Sequence, residues 1–236
     1  MYRFRPENER ILIVPDVHAP FEDKVAWKKV IDFAEDYRPH TIVQLGDFGD
    51  CYSVSQHDKD PRRARNIVEE AEAVRELRKD LDGLRAKRKI YCLGNHEDRL
   101  ERYMMAHAPA LLGTTNIDDL YGMSENGWRV IPYGEFAAIG KLHVTHDVGK
   151  SGAGALAATY KAVGKSVVIG HTHRLESMYG NSILGEGHVA ASLGWLGDFK
   201  AADYVSSVQK APWVHGFGVV EMKRDGTFEL QLKRVL

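Results

Sequence analysis

The 236-residue sequence is short of cysteine, of long hydrophobic runs and of net charge, and each shortage removes a class of protein. Two thiols, Cys51 and Cys92, cannot make a disulfide framework in a chain of this length, so a reducing, cytoplasmic setting is expected. Apolar stretches such as residues 11–14 and 167–169 stop far short of the ~18 residues a spanning helix needs, and the charged first ten residues do not read as a secretory leader. No membrane partner is expected. Lys plus Arg, 32, nearly cancel Asp plus Glu, 33, and a formal net charge of −1 cannot drive polyelectrolyte binding to nucleic acid or anionic lipid. Hydrophobic residues at 44% and charged residues at 28% exclude wholesale disorder and fibrous classes. The length suits one sizeable core, hence one domain over 1–236. What is abundant is histidine, with 11 residues, and histidine is the side chain that serves as metal ligand, acid and base near neutrality.

The first hundred residues alternate strand and helix. Short apolar runs over 10–15, 41–45 and 89–93 read as strands, and 25–37 places Trp27, Val30, Ile31 and Ala34 at helical spacing. Beyond Pro61, Ile67, Ala71, Val74, Leu77 or Arg78, Leu81 and Leu84 recur at steps of three and four, which predicts a long amphipathic helix; residues 53–89 read as a helical insertion or cap. Residues 98–107 form a further helix. Such alternation belongs to a parallel α/β sheet. Residues 113–135 read mainly as loop. From there the pattern turns to strands at 128–132, 136–139, 142–145, 167–169, 189–192, 218–222 and 227–232, interrupted by a helix at 153–163, with Asp225 and Gly226 marking a hairpin. Two packed sheets with helices outside account for both halves.

Five polar motifs directly follow strand-like runs: Asp16-Val-His18, Gly46-Asp-Phe-Gly-Asp50, Gly94-Asn-His-Glu97, Thr145-His-Asp147 and Gly170-His-Thr-His173. Ligands of α/β sheets bind at the carboxyl ends of strands, so motifs from five strands can meet in one crevice. Their mixture of carboxylate, imidazole and amide suits Mn, Fe or Zn better than Ca or a thiolate site. The glycines before Asp47, Asn95 and His171 are expected to let the chain turn off its strand.

In this order the five motifs resemble the signature of the calcineurin-like metallophosphoesterases, and the resemblance runs from residue 16 to residue 173. It implies an αββα sandwich with a dinuclear metal centre at the strand C-terminal ends. Asp16, His18, Asp47 and His173 would hold one divalent ion and Asp47, Asn95, His146 and His171 the other, with Mn the first expectation and Fe, Zn or Ni the alternatives. Water held between the ions would attack the phosphorus of a phosphate ester. His96 would protonate the leaving oxygen or stabilise the transition state, and Asp50 would orient His96. Cys51 stands where protein phosphatases of this family carry a phosphate-clamping Arg, which leans the expectation toward phosphodiesters or single-stranded nucleic acid. A phosphomonoesterase is the alternative, and a non-catalytic scaffold is disfavoured by the intact ligand set.

Substitute cations are Lys150, Arg62, Arg63 and Arg65. The Gly-Lys-Ser around Lys150 is no P-loop, because Val144 occupies the position of the required glycine. His40, His57, His107, His143, His188 and His215 lack a motif and read as ordinary. Residues 59–89 hold 11 basic and 7 acidic side chains, read first as a solvated helix face and second as a track for a nucleic-acid strand. The apolar stripe of that helix reads as core, with a dimer seam as the alternative, so the chain is expected as monomer or homodimer. Trp195, Trp213, Phe199 and Phe217 either pack or stack a base.

Overall fold

Strands of the first half are apolar on both faces because both faces are covered. In β2 (Glu9–Val14), Ile11 and Ile13 point into one buried cluster while Leu12 and Val14 point into another. Near-continuous hydrophobic strands of this kind are what a parallel sheet between two layers requires. A computed structural model describes the chain apart from residues 57–59, 61–62, 64–65, 182–186 and 203–204. His57, Arg62 and Arg65 therefore lie outside the described residues.

Two six-stranded sheets stack face to face. One has the order β12 (Phe228–Arg234), β11 (Gly216–Met222), β2, β3 (Thr41–Gln44), β4 (Arg88–Cys92), β5 (Trp128–Ile131). Its β2 to β5 run parallel, while β11 pairs antiparallel with both neighbours. The other has the order β1 (Tyr2–Phe4), β6 (Ala137–Ile139), β7 (Leu142–Val144), β8 (Val167–Ile169), β10 (Gly187–Leu193), β9 (Leu175–Asn181). Ile11, Ile13, Val43 and Ile90 from the first sheet meet Ile139, Val144, Val168 and Leu193 from the second in the layer between them.

Helices α1 (Lys24–Tyr37), α2 (Ile67–Gly83), α3 (Asp98–His107) and α4 (Ile117–Tyr121) cover the outer face of the first sheet through Trp27, Val30, Val74, Leu81, Met104 and Tyr121. Helix α5 (Ala155–Val163) covers the second through Leu156, against Val167, Ile169 and Ala190. The two-sheet α/β sandwich expected from the sequence is the fold observed.

Several local expectations are corrected. Between parallel β3 and β4 in the chain, α2 turns Ala71, Val74 and Leu81 into the core. At the ambiguous position it is Arg78 that is buried, donating from Nε to the Tyr121 carbonyl at 3.1 Å. Residues 113–135, read as loop, contain α4, whose Asn116 cap accepts the Asp119 amide at 2.9 Å. Strands β1 and β9 and the short helix α6 (Ser207–Lys210) carry too few apolar residues to show in the pattern.

Candidate metal centre

The five motifs leave β2, β3, β4, β7 and β8 at their carboxyl ends and interlock there. Val17 and His18 both donate their amides to the Asp47 carbonyl at 2.9 Å, His96 donates its amide to Asp47 Oδ1 at 2.9 Å, and His171 its amide to Asp16 Oδ2 at 2.7 Å. His18, Asp47, His171 and His173 have φ of 58°, 48°, 63° and 57°, a left-handed conformation that side-chain-bearing residues avoid. At about 1–3 kcal/mol each, such strain persists where surrounding bonds over-determine it, and it gathers at functional sites.

The glycines act differently from expectation. Of the three, only Gly46, at φ +92°, needs the left-handed region. Gly94 and Gly170 are required for space: a Cβ on Gly94 would lie 2.2 Å from Asp47 Oδ1, and one on Gly170 2.2 Å from Asp16 Oδ1.

Two groups of donors face each other across Asp47. In the first, His173 Nε2 lies 3.1 Å from Asp16 Oδ2 and 3.1 Å from His18 Nε2. In the second, Asn95 Oδ1 lies 2.9 Å from both His146 Nε2 and His171 Nδ1, and Asp47 Oδ2 is 3.3 Å from His146 Nε2. Ligand atoms of Asp16, His18 and His173, and those of Asp47, His146 and His171, lie within 4.8 Å of one another. All nine expected metal and catalytic residues come together here.

The rings are held from behind. His18 Nδ1 donates to Asp50 Oδ1 at 3.0 Å and His146 Nδ1 donates to the Leu45 carbonyl at 2.8 Å. In the neutral rings this leaves both Nε2 atoms as lone pairs aimed at further acceptors, an arrangement that a cation satisfies. Among the described residues, buried Asp16 Oδ1 and His173 Nδ1 have no hydrogen-bond partner, and neither does Asp147 Oδ2, 4.0 Å from His146 Nε2. The residues therefore fit divalent ions bound by oxygen and nitrogen.

Electrostatics agree. Burial opposes every charge in the centre, yet His146 and His96 hold the Asp47 carboxyl well below its usual range, and His173 and His146 lower that of Asp16. Burial depresses His18. At His146 burial is outweighed by Asp47 and Asp16, which draw the imidazole up to about 10, so in the metal-free protein a proton occupies the place of the cation.

His96 stands at the edge of both groups. Its Nδ1 donates to the Asp50 carbonyl at 2.8 Å and lies 3.0 Å from Asp50 Oδ1, while Nε2 is 3.7 Å from Asp47 Oδ2. Burial disfavours the Asp50 carboxylate, but His96 and His18 hold its pKa low.

The cations named from sequence contribute little. Lys150 is exposed and does not line the cleft, although its neighbours Ser151 and Gly152 do. Arg63 donates to the Ala201 carbonyl and lines a small hollow beside His18 and Asp50. Among the described residues of the basic stretch, Lys79 pairs with Glu76, Lys89 with Asp82 and Arg88 with Glu9. Cys51 is buried against the Tyr121 hydroxyl at 3.3 Å. Among the unassigned histidines, His143 bonds the Ser166 carbonyl, His215 the Gly197 carbonyl, and His188 stacks on Tyr160.

Sequence reasoning passed over three side chains. Glu97, the last letter of its motif, accepts the amides of Asp47, Gly94 and Gly49 at 2.8, 2.8 and 3.1 Å and so fastens two ligand loops together. Buried Gln44 both donates to the Gly46 carbonyl and accepts its amide. Arg99, three residues after His96, donates to His96 Nε2 at 2.8 Å; its spacing at the start of α3 was the available signal. Trp195 stacks on His173, with centroids 4.9 Å apart, and Trp213 meets it edge-on, whereas Phe217 packs on Phe33 away from the site. A cleft of about 480 Å³ opens over Asp47, Asn95, His96 and His171, walled by Arg174, Val208 and Trp213.

A two-sheet sandwich whose strand ends gather such donors defines an α/β protein with a candidate dinuclear metal centre. The profile of the calcineurin-like phosphoesterases matches residues 9–215, and the chain belongs to that family. It is 28% identical over 238 residues to the Gene 54 protein of Mycobacterium phage D29, covering 90% of this chain and 89% of the relative. The Gene 54 protein of Mycobacterium phage L5 is 27% identical over 234 residues, with the same coverage. A dimetal phosphatase from Danio rerio is similar in structure at a TM-score of 0.44 and 10% identity, covering 97% of this chain and 96% of that one.

Proposed function

We propose that the protein is a phosphodiesterase acting on nucleotide-type diesters, with Asp16, His18, Asp47 and His173 holding one divalent ion, Asp47, Asn95, His146 and His171 the other, and manganese the metal it takes first. The observation that carries this is the pair of donor groups joined at Asp47, with His96 Nε2 3.7 Å from its Oδ2. Bound there, two divalent ions would supply an acidified water and neutralise charge on the phosphoryl oxygens. The chain's residues do the rest. Asp50 holds the His96 ring through Nδ1, so Nε2 faces the departing oxygen. The new bond joins the water oxygen to phosphorus, the bond to the leaving alkoxide breaks, the alkoxide takes a proton from His96, and the water's proton passes to solvent.

The diester preference rests on where positive charge is absent. The position that carries the phosphate clamp in protein phosphatases is Cys51, whose side chain is buried in the helix layer and reaches no substrate. Arg99 lies against His96 but is not among the residues lining the cleft. Among the described arginines only Arg174 lines the cleft, on its wall, so a dianionic monoester lacks a clamp at the Cys51 position, while Trp213 and Val208 give an organic group apolar wall.

The test compares hydrolysis of bis(p-nitrophenyl) phosphate, p-nitrophenyl phosphate and single-stranded DNA by protein supplied with Mn²⁺. Diester turnover is expected to exceed monoester turnover, and the reverse with no DNA cleavage assigns a phosphomonoesterase. His96→Ala is expected to cut turnover about 100-fold or more with metal content intact. Asp47→Ala is expected to lose bound metal as well as activity, and full metal stoichiometry in that variant refutes the bridging role.

A further inference from the structure

Among the described residues Arg99 has one counter-ion, and that one is at the outer limit of an ion pair: Asp50 Oδ2 at 3.9 Å, in a carboxylate that already serves His18 and His96. The Arg99 side chain is 16% exposed, and its guanidinium donates at closer range to the Asp50 carbonyl at 2.9 Å and His96 Nε2 at 2.8 Å. A largely buried charge left in this state is costly unless something anionic completes it.

Arg99, in contact with His96 Nε2, also lines a notch of about 60 Å³ with Val54, Gln56, Arg102 and Tyr103. Arg102 is exposed, pairs with Asp98 at 2.7 Å and donates to the Asn95 carbonyl at 3.2 Å. The local balance of Arg99, Arg102 and Asp98 is therefore positive. Tyr103 adds a hydroxyl and a ring face at the rim. Both arginines bond the backbone of the loops that carry Asp50 and Asn95, so an occupant of the notch pulls on the machinery around His96.

We propose that this notch is an anion subsite on the leaving-group side, which takes a second phosphate carried by the departing nucleoside. The inference rests on the phosphodiesterase reading, because it is His96 as proton donor that fixes which side of the scissile phosphate faces the notch. On binding, Arg99 exchanges its bond to His96 Nε2 for one to the second phosphate, and the freed Nε2 lone pair takes up a proton from solvent, which it then gives to the departing oxygen. The substrate it describes is a strand or oligonucleotide with phosphates on both sides of the leaving nucleoside, rather than an isolated dinucleoside.

The test compares TpT with its phosphorylated forms pTpT and TpTp, using Mn²⁺-loaded protein. One phosphorylated form is expected to be cleaved with about tenfold higher kcat/KM, most of it in KM, as a charge-assisted contact supplies, and the products identify which nucleoside departs. Arg99→Gln and Arg102→Gln are expected to bring that ratio close to one, with Arg99→Lys restoring part of it. A ratio of one in the wild type, or an unchanged ratio in both Gln variants, overturns the subsite. A second readout needs no turnover: thymidine 3′,5′-bisphosphate binding to the metal-free protein, followed by tryptophan fluorescence, is expected to weaken about fivefold or more in Arg99→Gln. If no diester is cleaved, the phosphodiesterase reading fails by itself, and this titration decides the subsite: equal binding by wild type and Arg99→Gln rejects it.

Discussion

At the scale of residues, the centre is built from groups that are individually unfavourable and satisfied only jointly. His146 shows this most clearly, since its outer nitrogen is fixed on the Leu45 carbonyl and its inner one faces Asn95 and Asp47 oxygens. Either a proton or a metal ion must sit between them. Without metal its pKa is drawn from 6.5 up to about 10. Because the folded value lies above the unfolded one, the stabilisation this proton brings is complete below about pH 6.5 and is lost as pH rises toward about 10. A metal ion needs the neutral nitrogen and therefore expels the proton. Two outcomes are expected. The Tm of the metal-free protein falls between pH 7 and pH 10, and metal binding at pH 8, titrated in buffers of different ionisation enthalpy, releases a proton that His146→Gln does not. Metal binding at pH 8 with no proton released contradicts this account.

At the scale of elements, what could be read from the sequence depended on burial. The strands that carry the candidate ligands, β2, β3, β4, β7 and β8, are largely buried and stand out as short hydrophobic runs ending in polar motifs. Strand β9, with Ser177, Met178, Tyr179 and Asn181 exposed, has no such run and went unread. The motifs named the residues that meet in the candidate centre, but Glu97, Gln44 and Arg99 act on backbone amides, a carbonyl and a ring nitrogen whose proximity only the folded loops create. Helix α2 illustrates the limit from the other side. Its period was legible, yet that it joins β3 to β4 as a crossover follows from parallel pairing, which no local pattern contains. The core role of α2 gives a stability prediction. Leu81 is fully buried, so Leu81→Ala is expected to cost about 2–5 kcal/mol in urea unfolding. Among the residues lining the cleft none belongs to α2, so turnover per folded molecule should hold. A loss below about 1 kcal/mol would mean that the helix is not anchored as the structure shows.

At the scale of the whole molecule, charge is concentrated rather than abundant. The chain carries a net charge of −1, and Lys79, Arg88 and Lys89 of its basic stretch are held in ion pairs. Two divalent ions against the carboxylates of Asp16 and Asp47 would nevertheless leave the centre positive, and Arg99 and Arg102 add charge beside it. Attraction of an anionic substrate is therefore local. Each phosphate neutralised on a single strand contributes about −0.7 to the slope of log affinity against log salt. A protein that engages only the scissile phosphate and one or two neighbours should show a slope no steeper than about −2, whereas an extended basic track would give about −4 or beyond. Measured on single-stranded DNA with the slow-cleaving His96→Ala variant at constant Mn²⁺, a shallow slope independent of strand length beyond a few nucleotides is expected. A slope that steepens as the strand lengthens would show that the surface outside the cleft takes part in binding, and would move the determinants of substrate choice away from the centre.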